Sequence, residues 1–135
     1  MNTTYFLNCT AGNLFGTKKD PAIPEKYYIG LSLTKPNVNG TNVTEPSESA
    51  GYRRVELTSL SEPSSGVVTN QYSINFEEST SAWGTIAYFV IFDSEAVGSG
   101  NLLMYGDLTT ARTVEAATIM TIKEGYLTLS AQNPS

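Results

Sequence analysis

The chain has 135 residues, a formal net charge of −5, no histidine and one cysteine; its length suits a single domain, since domains cluster at about 100–150 residues. With Cys9 alone there is no intrachain disulfide, and without histidine there is no Ser-His-Asp or Cys-His arrangement and no common zinc ligand set. The basic residues form no stripe: Lys18-Lys19 and Arg53-Arg54 are the only pairs, so nucleic acid is not an expected partner.

No segment reads as a membrane span, and Met1-Asn2-Thr3-Thr4-Tyr5 lacks both the basic and the apolar region of a signal peptide. Neither a membrane partner nor general secretion is expected. Asn2, Asn8, Asn39 and Asn42 each open an Asn-x-Ser/Thr triplet. Without a leader these read as polar loop chemistry rather than glycan acceptors.

In chain order, residues 1–26 read as an irregular N-terminal arm. Leu7, Leu14 and Phe15 support one short helical turn, and Gly12 and Gly16 argue against a longer helix. Such an arm packs over the domain or clasps a neighbour, which makes Leu14 and Phe15 candidate interface residues. Residues 27–135 read as a single β domain. The first strand, 27–34, puts Tyr27, Ile29, Leu31 and Leu33 on one face and Tyr28, Gly30, Ser32 and Thr34 on the other. Pro36 ends it. A polar loop, 35–51, follows, of a length often tied to function. Residues 52–57 alternate as a second strand with one wet face; Val67-Val68 is a short strand, and 72–76 is a third alternating segment.

The strongest signal is Ile86-Ala87-Tyr88-Phe89-Val90-Ile91-Phe92, an unbroken apolar run after Trp83-Gly84-Thr85. It does not alternate, so it predicts a strand buried on both faces. Another sheet is expected to cover one face, and a further element or a second subunit the other. Tyr88, Val90 and Phe92, with Tyr105 on the next strand, are therefore candidate interface residues. The acidic, glycine-rich stretch 93–100 predicts a hairpin to a strand at 101–106. Residues 117–122 and 126–130 read as a last strand pair around Lys123-Glu124-Gly125, where Gly125 suits positive φ. About seven short strands and no convincing amphipathic helix indicate an all-β antiparallel sandwich or jelly roll.

Searching the chain for chemistry yields little. Glu77-Glu78 are strand neighbours and point to opposite faces, so they cannot share one bond. Asp93 and Glu95 match no calcium spacing and read as a solvated hairpin tip. Gly98-Ser99-Gly100 lacks the lysine and helix of a phosphate loop. No cofactor, metal or catalytic residue is expected. The tyrosines at 27, 28, 52, 72 and 88, with Trp83, divide among core, subunit interface and a sugar-stacking platform. For the last, Tyr52 beside the long loop is the candidate glycan contact.

A series of motifs remains: Tyr28-Ile29-Gly30-Leu31-Ser32, Pro36, Gly40, Val43-Thr44-Glu45-Pro46, Gly51-Tyr52-Arg53-Arg54-Val55, Trp83-Gly84-Thr85, Phe92-Asp93, Gly100-Asn101-Leu102-Leu103-Met104-Tyr105-Gly106 and Leu108-Thr109. In this order, over about residues 13–130, the chain resembles a family of small tailed-bacteriophage virion proteins commonly labelled phage tail fibre or phage structural proteins. The resemblance implies a β-rich, non-enzymatic part of the virion that is assembled in the bacterial host cytoplasm. It implies work by self-assembly and docking, with other copies of the chain and other phage virion proteins as partners. A capsid (head) decoration protein is the first alternative. The second is a carbohydrate-binding receptor-recognition module, with a host cell-surface glycan held by Tyr52 and the 35–51 loop.

Overall fold

The apolar run at 86–92 becomes the centre of the main sheet. The computed structural model describes residues 1–15 and 24–130. Among these, helix α1 (Thr4–Phe15) precedes strands β1 (Tyr28–Ser32), β2 (Val55–Glu56), β3 (Val67–Thr69), β4 (Ile74–Asn75), β5 (Gly84–Phe92), β6 (Leu102–Val114), β7 (Thr121–Ile122) and β8 (Thr128–Ser130). One sheet has the order β2-β1-β5-β6, and two further ladders pair β3 with β8 and β4 with β7. Every pairing is antiparallel. The all-β antiparallel class is as expected. Of the sandwich, the structure supplies one four-stranded sheet and two two-stranded ladders.

β5 is covered on both faces by its own chain. Ile86, Phe89 and Ile91 join the larger core, which gathers Ile29 and Leu31 from β1, Tyr52, Trp83, and Ile74, Ile122 and Leu129 from the ladders. Val90 and Phe92 join a smaller core with Leu102, Tyr105 and Val43. Ile86 and Ile91 share a face although they lie five positions apart, which strict alternation forbids. The ladder with β6 explains it: Ile86 pairs with Arg112 and Tyr88 with Asp107, so Ala87 alone faces residues 108–111. A bulge of this kind reverses the side-chain phase beyond it. Farther on, Ile91 pairs with Met104 and Phe92 with Leu102, leaving Leu103 extra at a second irregularity of the ladder.

The irregular-arm expectation is corrected over residues 4–15, which form a twelve-residue helix despite Gly12. Its start is anchored. The Thr3 carbonyl accepts from Leu7 N at 3.0 Å, and Thr3 Oγ1 accepts from Phe6 N at 3.3 Å, as a helix N-cap does. Thr3 is itself tied to β6, with its N–H donating to Leu103 O at 2.9 Å and its hydroxyl to Leu102 O at 2.6 Å. Tyr105 N donates to Met1 O, and Asn2 bridges Met104. This long-range anchoring outweighs the roughly 1 kcal/mol cost of one internal glycine. Residues 16–23 of the expected arm, Gly16 and Lys18-Lys19 included, lie outside the described residues, as do 131–135.

The expected last hairpin is also corrected. The turn is present, with Gly125 at φ 78° and Tyr126 N donating to Lys123 O at 3.0 Å. The strands it joins do not pair with each other: β7 pairs with β4 and β8 with β3. Asn70 holds this crossing together, donating through Nδ2 to Tyr72 O and Lys123 O and accepting from Leu127 N at 3.0 Å through Oδ1. The 93–100 hairpin forms as expected and closes where Asp93 accepts from the backbone and side-chain nitrogens of Asn101 at 2.7 and 3.0 Å.

Candidate functional site

Two features stand out from this frame, one polar and buried, one apolar and open. The first begins with the Tyr52-Arg53-Arg54 segment. Arg53 points to solvent, while Tyr52 and Arg54, two residues apart on an extended chain, both turn inward. The Arg54 side chain is 0% exposed and its partner Glu45 is 7% exposed. Arg54 Nη2 meets Glu45 Oε1 at 2.6 Å and Nε meets Oε2 at 3.0 Å, a two-pronged pair. Nη1 donates to Ser94 O and Ser99 O, each at 2.8 Å, and the guanidinium lies 3.6 Å from the Phe92 ring centroid. Tyr52 OH donates to Glu45 Oε2 at 2.6 Å and accepts from Leu31 N at 2.9 Å. Burial first, then the Glu45 carboxylate, pushes the Tyr52 phenol well above its usual 10.0.

This cluster ties loop 35–51 and the 93–100 hairpin to β1. Gly30 makes room for it: a Cβ there would collide with Tyr52 OH and come within 2.9 Å of Glu45 Oε2. Both carboxylate oxygens are engaged by donors, and Arg54 is held through all three guanidinium nitrogens. No acid, base or nucleophile is left poised, so the cluster fixes architecture.

The candidate glycan contact is thereby corrected. Tyr52 is fully buried, stacked on Phe76 and edge-on to Trp83, and offers no face to a sugar. Of the candidate interface residues, Val90, Phe92 and Tyr105 are buried together in the smaller core, and Tyr88 is half-buried beside them on β5. The apolar surface of Val90, Phe92 and Tyr105 is thus covered by their own chain. Leu14 and Phe15 differ, at 71% and 78% exposed. The sequence reading missed Glu45 and Arg54; the signal available was an arginine in phase with a buried tyrosine.

The second feature is an apolar groove of about 350 Å³ lined by Phe6, Tyr27, Leu57, Leu60, Val68 and Met104, among others. Phe6 of α1 meets Tyr27 edge-on across it, with ring centroids 6.5 Å apart. No helix among the described residues is long and apolar enough to cross a membrane.

A β-rich module whose buried charges are structural and whose apolar surface is partly open belongs among building blocks. The family model described as Podophage GP4 fiber I protein gp80 matches residues 2–130, and the chain belongs to that family. It is thus a phage tail-fibre structural protein and a component of the virion. A comparison with curated proteins returns no match.

Proposed function

We propose that the chain is a non-enzymatic part of the tail-fibre apparatus that works by self-assembly and by docking onto other virion proteins. The observation that carries this reading is the outward end of α1. Leu14 and Phe15 are the most exposed large apolar side chains among the described residues. Burying such a side chain is worth about 1.5–3 kcal/mol, so leaving both in water is unfavourable unless a partner covers them. The fibre family supports the structural role. The glycan-binding reading loses the residue on which it rested, and the head-decoration reading has no observation of its own.

Light scattering of the purified chain over a concentration series tests this. A defined oligomer is expected; a monomer at every concentration opposes self-assembly.

A further inference from the structure

We infer that a cleft between β2 and β4 binds a single neutral pyranose unit of a glycan, with Tyr72 as its stacking platform. The site is separate from buried Tyr52, and it stands apart from the self-assembly reading above. Two segments form it. They are tied where Gln71 N donates to Ser59 O at 2.9 Å. From that tie one segment leads back to β2 and the main sheet, and the other leads on to β4 and its ladder with β7. The opening between them has about 150 Å³, the volume of about five waters at roughly 30 Å³ each. That is about half of the smallest pockets that enclose a drug-sized ligand. It therefore takes one ring and leaves the rest of a chain outside. Val55, Leu57 and Ile74 give the lining an apolar part.

The remaining lining supplies what a polyol needs. Thr58, Ser59 and Ser73 line the cleft, and their hydroxyls have no partner among the described residues. Each can both donate and accept. Asn75 Oδ1 accepts from Thr121 Oγ1 at 2.8 Å, which fixes the amide and keeps Nδ2 as a donor. Glu56, 3.6 Å from Lys26, adds a carboxylate acceptor whose charge is balanced. Tyr72 lines the same cleft yet is 69% exposed, and its carbonyl is held by Asn70 Nδ2 at 2.9 Å. A ring standing in water on a fixed backbone offers an apolar face with a polar tip. A pyranose is the complement, with an apolar ring face and hydroxyls radiating from its edge. No lysine or arginine lines the cleft, so a phosphate-bearing ring such as a nucleotide finds no counter-charge there.

The test titrates the nitrogen-labelled full chain with the methyl pyranosides of glucose, galactose, mannose and N-acetylglucosamine. Each is taken to about 100 mM, far above a millimolar dissociation constant, and sorbitol, an open-chain polyol, is the control. At least one pyranoside is expected to give saturable amide shifts at residues 56–59 and 72–75, and sorbitol none. Tyr72→Ala, and Ser73→Arg, which fills the cleft, are each expected to weaken binding about tenfold or more. Trp83, the single tryptophan, is buried with its indole N–H on Ala50 O at 2.9 Å, so its emission reports folding. Where one variant alters that emission, the other carries the test. Tyr126→Ala removes a ring of similar exposure, 64%, outside the cleft, and is expected to bind as wild type does. No saturable shift with any pyranoside overturns the inference, as do shifts that sorbitol reproduces. Binding that survives both cleft variants, or that Tyr126→Ala weakens equally, overturns it too. None of these outcomes bears on the oligomeric state, so the self-assembly reading stands or falls by its own measurement.

Discussion

Arg54 shows how a single buried charge organises distant loops. Its only carboxylate partner among the described residues is Glu45, and removing one member of such a pair leaves an uncompensated charge, at a cost of about 3–5 kcal/mol. Glu45→Gln is therefore expected to lower the melting temperature by about 10–20 °C in calorimetry. A drop of only a degree or two would show that the pair is dispensable. Tyr52 adds a pH signature. Its phenol is raised in the folded protein above the usual 10.0, so the unfolded chain loses its proton first. The contribution is complete below about pH 10 and fades as pH rises above it. Melting curves of Tyr52→Phe should therefore fall less steeply above pH 10 than those of wild type, although burial raises Tyr27 as well and leaves some slope in both. Sequence alternation placed Tyr52 and Arg54 on one face, but whether that face is wet depends on Glu45, Ser94 and Ser99, which approach from other loops. Tyr52 was legible as a residue of note; its burial was not.

At the level of elements, the strands that local pattern describes best are those found. β1 alternates and puts Ile29 and Leu31 into the core, and β5 is the doubly covered strand that its apolar run predicts. β6 continues eight residues past Gly106 to Val114, beyond the expected end. Its pattern is illegible there because residues 108–111 bulge away from the ladder and break the period of two. The partners of β7 and β8 are illegible for another reason. A tight turn between two strands suggests a hairpin, whereas partner choice here is made by β3, β4 and Asn70. Asn70→Ala removes the acceptor of Leu127 N, a buried donor, and is expected to cost about 1–3 kcal/mol. Hydrogen exchange should show the loss at Leu127 and the β3-β8 ladder before β5. Uniform loss across all strands would mean that Asn70 is not a local staple.

Across the whole molecule, residues 1–3 serve β6 and α1 at once. They run beside Leu103, Met104 and Tyr105 and then turn into the helix through Thr3. Without them, that margin of β6 would present unpaired backbone donors and acceptors, the feature that invites indiscriminate strand addition. The N-terminal segment is in this sense a guard as well as a connector. Removing residues 1–3 is accordingly expected to give larger, polydisperse species in sedimentation, where Leu14→Ser/Phe15→Ser gives smaller, uniform ones. A clean monomer on removal would show that the margin needs no guard. Truncation and point substitution, which look like interchangeable ways to disable one helix, thus push the particle-size distribution in opposite directions.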